Sequence, residues 1–351
     1  MRSLRARPHN GCNGTIIAVG GKIMNRLTFV AMALATAFIA TTACAEEASL
    51  RLGAVPSGMR SVGSLPFFIG AEQGFFAREG IKLDRVGVEG GTDKMVKAVD
   101  AGDVVMAETA TPYFIQAVLA GSPSIAVAAS TANPIYSLIV KPEIQRFDDL
   151  KGKVLGLSLA VDTISISMRK LLALKGLKES DYRVRELVGT PVRFDCLKKG
   201  ECDGVPLGQP EDFNAIDQGF RRLGVSTEAI ANFEFTVVVA RRDWAETHKA
   251  VVTGFVRAFA DSFRFIRNSA NRDAVVKTIV AATGAPEKTA RAIMTLYFEP
   301  ERGVMPKAAE LDLKGLAQVI AFMGEAGVLR APLPAPERFV DLQYLHAAGV
   351  Q

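Results

Sequence analysis

The spacing of apolar positions changes several times between residues 49 and 107. Short continuous apolar runs, typical of buried strands, alternate with apolar positions spaced three or four residues apart, typical of helices. The elements that this pattern predicts are a strand at 49–55, a helix at 64–80, a strand at 81–88, a helix at 92–101 and a strand at 104–107. Gly80 and Gly102 follow the two helices, where a left-handed residue commonly ends a helix. Because each helix is short and joins two strands, the repeat predicts parallel strands with right-handed crossovers.

The alternation of predicted strands and helices continues beyond residue 107 and predicts an α/β protein with two lobes. The further predicted elements are a helix at 112–121, strands at 124–129, 136–140 and 154–157, a helix at 164–175, a strand at 182–187, a helix at 190–200, a strand at 204–205, a helix at 210–219 and a strand at 235–240, with helices from 243 onward. No helix separates 124–129 from 136–140, and the pattern restarts after Gly152. We therefore expect a discontinuous lobe 1 (46–141 plus 235–351) around an inserted lobe 2 (142–234).

The segment before the first strand has the three parts of a secretory signal. Residues 24–26 end in the basic residue Arg26, and the apolar run at 27–40 that follows is too short to span a membrane. Ala43-Cys44-Ala45 then has the small-x-small pattern of a signal-peptide cleavage site. We interpret 24–45 as a signal peptide cleaved after Ala45, and 1–23 as a misassigned start or an extended leader. An N-terminal membrane anchor and a lipoprotein modified at Cys44 are the less favoured alternatives.

Removing this leader changes the charge of the protein. The whole chain has 42 basic and 37 acidic side chains, and residues 1–45 hold five of the basic ones and none of the acidic ones. The remaining chain is therefore neutral, so its composition argues against a nucleic-acid or membrane-surface partner. We expect an exported, periplasmic, soluble monomer.

Polar residues fall at the ends of predicted strands, where open α/β sheets bind ligands. Helix N-termini there offer free N–H groups to an acceptor. The candidate ligand contacts are Ser64, Gly91, Thr92, Thr109 and Thr111 in lobe 1, Ser130 and Thr131 near the hinge, and Asp162, Thr163, Ser165 and Gln209 in lobe 2. Each hydroxyl has the alternative role of a simple helix cap.

Charged residues in the same loops leave the charge of a ligand open. Arg60, Lys94 and Arg193 stand near helix starts and are possible partners of an anion, although solvent-exposed surface charge is their expected role. Glu108 ends the third strand and is a possible acceptor from an amine or a ring N–H. Glu211 has the same option, but its expected role is to stabilise a helix start.

The cysteines and histidines indicate neither a metal site nor catalysis. Without the leader, Cys196 and Cys202 remain, and the sequence leaves open whether they form a disulfide or two free thiols. No histidine lies near them, which disfavours a metal. His248 and His346 fall outside strand-to-helix junctions, and no nucleophile-elbow or phosphate-loop motif is present. We therefore expect no enzyme, no cofactor and no metal.

The run from Leu65 to Gly80 resembles the first helix of periplasmic substrate-binding proteins of ABC importers, of the sulfonate, nitrate and taurine type. Pyrimidine-precursor binders are related to that group. The resemblance continues at 90–91, 101–103, 136–142, 150–154 and 197–204. It implies a type II periplasmic-binding fold, in which two lobes joined by two crossing strands close on a small molecule.

The resemblance also implies a partner, an ABC permease in the inner membrane that receives the ligand. Two alternatives remain. The first is a ligand-binding sensor that uses the same closure. The second is a secreted enzyme of pyrimidine-precursor metabolism, whose expected cysteine-rich motif is absent from this chain. The sequence does not select the ligand.

The export hypothesis predicts the first residue of the mature protein. Cleavage after Ala45 leaves Glu46 at the N-terminus. N-terminal sequencing and intact-mass measurement of protein recovered from the periplasm should both give this start. A chain that retains Met1, or one that begins at a lipid-modified Cys44, would contradict the prediction.

Overall fold

The structure is a computed structural model, and it describes residues 48–230, 232–298 and 304–351. The predicted signal peptide at 24–45 and the segment at 1–23 lie outside the described residues. Within the described ranges, no helix is both long enough and apolar enough to cross a membrane.

The described chain has ten strands and thirteen α-helices, and the last six helices follow β10 without a strand between them. The strands are β1 Ala48–Ala54, β2 Ile81–Gly87, β3 Met106–Ala110, β4 Ser124–Thr131, β5 Ser137–Val140, β6 Val154–Leu157, β7 Arg183–Glu186, β8 Gly204–Leu207, β9 Arg221–Val225 and β10 Thr236–Arg241. The helices are α1 Leu65–Glu72, α2 Phe75–Arg78, α3 Met95–Ala101, α4 Thr111–Leu119, α5 Thr163–Leu174, α6 Thr190–Lys198, α7 Glu211–Asp217, α8 Arg242–Thr247, α9 Lys249–Arg267, α10 Arg272–Thr283, α11 Glu287–Phe298, α12 Leu313–Glu325 and α13 Gln343–Ala347.

The strands form two five-stranded mixed sheets of matching design. The first has the order β2-β1-β3-β10-β4, and the second has the order β7-β6-β8-β5-β9. In each sheet three strands are parallel, which confirms the parallel pairing predicted for β1, β2 and β3. The fourth strand of each sheet, β10 or β5, is antiparallel to both of its neighbours. These two strands are the ones that enter after the chain has crossed from the other sheet.

Two crossing segments, residues 132–136 and 226–235, connect the sheets. They bond to each other directly: the Ser226 amide donates to the Tyr136 carbonyl at 2.9 Å, and the Tyr136 amide donates to the Ser226 Oγ at 2.9 Å. Because β5 pairs in the second sheet, a lobe boundary at residue 141 would separate it from its partners. We propose instead that the lobes divide within the two crossing segments.

The core of lobe 1 lies between its sheet and the long helix α9. Phe255, Phe259 and Phe263 follow one face of α9 and are fully buried. The Phe67 ring of α1 stacks on Phe259 with 4.5 Å between ring centroids. Gly70 permits this approach, since a Cβ there would lie 2.7 Å from the Ser262 Oγ. Both Phe67 and Gly70 belong to the run that carried the family resemblance.

Three elements differ from the sequence prediction. The helix predicted at 64–80 is two helices, α1 and α2, because Gly74 adopts a left-handed φ of 67° between them. The third strand begins at Met106 rather than at 104 and extends to Ala110. Strand β9 was not predicted, because it is an edge strand that starts with two exposed arginines and lacks an apolar run.

Cys196 and Cys202 form a disulfide in lobe 2. It joins the last turn of α6 to the residues before β8, with the two Cα atoms 5.3 Å apart. Both cysteines are buried beside Leu197 and Val205 in the smaller apolar cluster of this lobe. The crosslink therefore fixes the end of α6 against the strand that leads back to the centre of the sheet.

Removing this crosslink should destabilise the protein modestly. The cysteines are only 6 positions apart, so the closed loop is short, and the entropic relation gives a loss of about 2 kcal/mol. We expect this loss in the free energy of unfolding by urea for the double variant Cys196→Ala/Cys202→Ala. Reductant should reproduce the loss in the wild type and leave the variant unchanged; equal stability of variant and wild type would contradict the prediction.

Candidate functional site

A cavity of about 770 Å³ lies between the two sheets and is called the cleft here. The loops after β1, β2 and β3 line it from lobe 1, and the loops after β6, β7 and β8 line it from lobe 2. These loops stand at the carboxyl ends of parallel strands, the usual ligand position in open α/β sheets. The end of α10, residues 281–284, and Tyr297 of α11 complete the wall.

The structure divides the candidate contacts into two groups. Those that line the cleft are Ser64, Gly91, Thr92, Thr109, Thr131, Asp162 and Gln209, together with the charged residues Arg60 and Glu108. Those that do not are Thr111, Ser130, Thr163 and Ser165. The structure therefore brings residues of both lobes together at one place, as the two-lobe hypothesis requires.

The hydroxyls of the second group are engaged within the protein. Thr111 Oγ1 donates to the Phe235 carbonyl at 3.2 Å, and Ser165 Oγ donates to the Ser158 carbonyl at 2.8 Å. Thr163 Oγ1 donates to Asp162, and Ser130 Oγ donates to Glu108. Their role is to position the loops and the carboxylates that face the cleft.

On the wall of lobe 1, Glu108 faces Arg85. The Arg85 guanidinium lies 3.8 Å from the Glu108 carboxylate and also donates to Ser64 Oγ at 2.8 Å. It stacks over the Phe67 ring at 4.5 Å from the ring centroid. Ser64 in turn donates to the Gly58 carbonyl at 2.7 Å rather than capping α1. Arg85 was missed in the sequence because it lies within a strand, where no loop or helix-start signal marks it.

This environment shifts the protonation of both partners. Burial raises the pKa of Glu108, while the Arg85 charge and the Ser130 hydrogen bond lower it in part. Burial likewise lowers the pKa of Arg85, and the Glu108 charge opposes that effect. The two side chains are only 17% and 11% exposed, so each charge depends on the other for compensation.

On the wall of lobe 2, Arg193 is fully buried, so the expectation of a solvent-exposed charge is wrong. It lies one turn into α6, where its Nε donates to the Pro206 carbonyl at 2.8 Å and its Nη2 donates to Thr190 Oγ1 at 3.1 Å. Within the described ranges, no carboxylate oxygen lies within 4.0 Å of its guanidinium nitrogens. A buried cation is thus held mainly by neutral acceptors at the cleft wall. Lys94, by contrast, is exposed and pairs with Asp93.

Two further carboxyls and a phenol surround this cation. Asp162 caps α5, where it accepts from the Ile164 amide at 2.9 Å and from Ser158 Oγ at 3.0 Å. Glu211 begins α7, as expected, and it also lines the cleft. Burial raises the pKa of both carboxyls. Burial also raises the pKa of Tyr136 to about 12, since the opposing Arg193 charge is the smaller effect.

Two threonine hydroxyls in the cleft wall have no hydrogen-bond partner among the described residues. They are the Oγ1 atoms of Thr92 and Thr236, both shielded from solvent. Thr92 does not cap the following turn, because Gly91 occupies the cap position and no side chain caps it there. Its carbonyl accepts from Thr109 Oγ1 at 2.9 Å, which fixes the loop. Buried hydroxyls are normally satisfied, so these two are available to a ligand.

Gln209 connects the two lobes across the cleft. Its Nε2 donates to Asp212 Oδ2 at 2.8 Å within lobe 2, and its Oε1 accepts from the Tyr297 hydroxyl of α11 at 2.8 Å. Tyr297 and Thr283 were missed in the sequence. They lie about 200 residues from the first cleft loops, in helices whose pattern indicates only packing.

No group of three or more His, Cys, Asp or Glu side chains suited to a metal ion occurs in the part of the chain that the structure describes. His248 lies at the surface and stacks on Trp244 with 4.6 Å between ring centroids. Neither ring lines the cleft. The arrangement can therefore bind a small molecule through hydrogen bonds, charges of both signs and aromatic rings.

Comparison with known proteins identifies relatives of the chain. The family model described as "NMT1/THI5 like" matches residues 62–293. The taurine-binding periplasmic protein of Escherichia coli (strain K12) is 25% identical over 299 residues, which are 78% of this chain and 87% of that protein. These matches confirm the family resemblance stated from the sequence.

Solved structures confirm the fold. The periplasmic nitrate-binding protein NrtA from Synechocystis PCC 6803 has a TM-score of 0.73 at 13% identity, over 86% of this chain and 88% of that one. The desulfurization enzyme DSZB has a TM-score of 0.59 at 15% identity, over 86% of this chain and 98% of that one. The chain has the periplasmic-binding-protein fold, and proteins of different activity share it.

The Glu108–Arg85 pair predicts a pH-dependent stability. Arg85→Met keeps an apolar stem near Phe67 but removes the charge that compensates Glu108, so the pKa of Glu108 should rise further. We expect a loss of about 3 kcal/mol in the free energy of unfolding near pH 7, the lower end of the cost of removing one partner of a buried ion pair. Because the folded variant then keeps the Glu108 proton to a higher pH than the folded wild type, this loss should grow as pH rises from the Glu108 pKa of the wild type towards the higher pKa of the variant, and shrink below that range.

Urea unfolding of wild type and variant at pH 5 and pH 8 measures this difference. The double variant Arg85→Met/Glu108→Gln removes both charges and should recover most of the loss, with little dependence on pH. A deficit of Arg85→Met that is the same at both pH values would show that Glu108 is not the cause.

Proposed function

The chain belongs to the NMT1/THI5-like family, and from this membership and the cleft we propose that it is the extracytoplasmic solute-binding component of an ABC-type importer. It captures a small polar organic molecule and delivers it to a permease in the inner membrane. The observation that carries the proposal is the cleft of about 770 Å³, because buried polar groups from both lobes surround it. Its volume is within the range of small-molecule sites.

The cleft supplies groups of both charge signs to a ligand. Arg60 and Arg193 are its cations, and Glu108, Asp162 and Glu211 are its carboxyls. A simple anion would pair with the arginines, but its negative charge would also lie beside the three carboxyls of the cleft wall, and like charges at close range repel each other. The charge distribution therefore favours a molecule with both an acceptor group and N–H donors. An amino-sulfonate or a polar heterocycle fits this description better than nitrate.

Aromatic rings support an organic ligand. Tyr136, Phe235 and Tyr297 line the cleft beside the charged groups. Tyr136 and Phe235 meet edge to face with 6.0 Å between their ring centroids. Such rings provide apolar area for the carbon skeleton of a ligand, while their hydroxyls and neighbours orient its polar groups. The taurine-binding relative is consistent with this class of solute.

The connection between the lobes supports capture of the ligand by closure. The two crossing segments bond to each other through Tyr136 and Ser226, and among their described residues one short 3-10 helix, Ser226–Glu228, is the only regular element. Rigid lobes joined by such a hinge close around a ligand as bodies. The Cys196–Cys202 disulfide supports a periplasmic location, since disulfides persist in oxidising compartments.

The bonding of the cleft hydroxyls favours binding over catalysis. Ser64 Oγ donates to a backbone carbonyl and accepts from Arg85, so no base withdraws its proton. Thr109 Oγ1 also donates to a backbone carbonyl. Since the desulfurization enzyme DSZB has the same fold, turnover is tested directly in the experiment below.

Solute binding predicts stabilisation by one class of small molecule. The purified protein is tested by thermal unfolding and native mass spectrometry against taurine, alkanesulfonates, nitrate, carboxylates, amines and aminopyrimidines. A ligand present at about 100 times its Kd should add about 2.7 kcal/mol of stability. Mass analysis after incubation should return the compound unchanged. Stabilisation by none of these compounds contradicts the solute-binding proposal, and conversion of a compound would favour the enzyme instead.

The two unpartnered hydroxyls predict a specific loss of affinity. Thr92→Val and Thr236→Val each remove one hydroxyl from the cleft wall, so affinity for the compound found in the screen should fall about five- to tenfold. Isothermal titration calorimetry measures this change. Thr278→Val is the matched control, since its buried hydroxyl donates to the Ala274 carbonyl within α10 and neither residue lines the cleft: it should lower stability but leave affinity unchanged. Equal affinity of all three variants would contradict the assignment.

A further inference from the structure

The Tyr297 hydroxyl makes a buried hydrogen bond between the lobes. Its ring packs in the lobe 1 core between α11 and its neighbours, and its hydroxyl reaches Gln209 Oε1 of lobe 2 at 2.8 Å. Both residues are almost fully buried, with exposed fractions of 7% and 2%. By contrast, the Lys170–Glu325 ion pair that also joins the lobes is largely exposed, and pairs of that kind contribute little.

The partner of this hydroxyl is held in one orientation. Gln209 Nε2 donates to Asp212 Oδ2, a carboxylate oxygen that also accepts from Ser137 Oγ at 2.7 Å and from Arg222 at 2.8 Å. A carboxylate only accepts, so the amide nitrogen of Gln209 must face it and the amide oxygen must face Tyr297. Ser137 and Arg222 lie on β5 and β9, the two strands that lead into and out of the hinge.

The lobes also approach each other through the loops that follow β1, β2 and β7. A Cβ on Gly91 of lobe 1 would lie 3.5 Å from Val188 of lobe 2, and a Cβ on Gly189 of lobe 2 would lie 3.5 Å from the Ser57 Oγ of lobe 1. This is a closed arrangement. When the lobes separate, both Tyr297 and Gln209 gain water as a partner, so the bond between them exists only in the closed state.

We propose that Tyr297 and Gln209 form an interlobe latch that stabilises the closed state of the cleft. The inference rests on the proposed hinge closure and adds a positioning role for two cleft residues. Tyr297→Phe would leave the Gln209 oxygen buried without a donor in the closed state alone. The closed population should therefore fall about five- to tenfold relative to the open one.

Interlobe distances in the ligand-free protein test the latch. Spin labels are placed on cysteines introduced at Lys97 of α3 and Val192 of α6, two exposed positions outside the cleft, in the full chain with Cys12 and Cys44 replaced by serine. Electron–electron double resonance should show a shift toward longer distances in Tyr297→Phe. Urea unfolding of the same variant should show the wild-type slope, which establishes that both lobes remain folded.

Tyr344→Phe is the matched control. It deletes the same atom from another buried tyrosine of lobe 1, whose hydroxyl has no hydrogen-bond partner among the described residues, so its distance distribution should equal that of the wild type. An unchanged distribution in Tyr297→Phe, or an equal shift in both variants, overturns the latch. A failed ligand screen would instead contradict solute binding and leave the distance result standing, so the two failures are distinguishable.

Discussion

The reciprocal hydrogen bonds between Tyr136 and Ser226 are the constraint on which the cleft depends. They hold the two crossing segments side by side, so the chain passes between the sheets at one place. The Ser226 hydroxyl also donates to the Pro134 carbonyl at 2.7 Å, which adds a third bond within the same few residues. Because the lobes are otherwise separate sheets, their relative position is determined by this junction and by contacts across the cleft. The ring of Tyr136 then projects from the junction into the cleft itself.

The charges of the cleft are compensated in two different ways. In lobe 1 the buried cation and carboxylate, Arg85 and Glu108, face each other, so this pair is nearly neutral without a ligand. In lobe 2 the Arg193 cation is held by carbonyl and hydroxyl oxygens, while Asp162 is held by amide and hydroxyl donors. Neutral partners satisfy the hydrogen bonds of a buried ion but do not compensate its net charge, so that charge can still interact with a ligand. Lobe 2 is therefore the wall that responds more strongly to the charge of a bound molecule.

The sequence could predict the elements that bury apolar residues and the loops between them, because strand and helix periods and glycine stops are local signals. It could not predict β9, whose pairing with β5 comes from sheet topology and not from its own arginine-rich pattern. It also could not distinguish Arg193 from an exposed helix-start charge, since its burial comes from the packing of α6 against β8, where the Pro206 carbonyl accepts its hydrogen bond. Arg85, on a strand, contacts the cleft residues Glu108 and Ser64, and Tyr297 lines the cleft from a late helix; only the fold brings them there.

The candidate hydroxyls show why local sequence signals can indicate where a site lies but not which ligand it binds. Thr111, Ser165 and Thr92 carry the same group at similar positions after strands, yet the first two are bonded to backbone carbonyls and the third is unpartnered among the described residues. What separates them is the direction in which the loop turns, and Thr109 determines that direction for Thr92 through its bond to the Thr92 carbonyl. Hydroxyls such as those of Thr109 and Ser165 thus fix the loops through bonds to backbone carbonyls. The Thr92 hydroxyl has no such bond among the described residues and can still bond to a ligand. A ligand finds these groups already oriented, which reduces the ordering cost of binding.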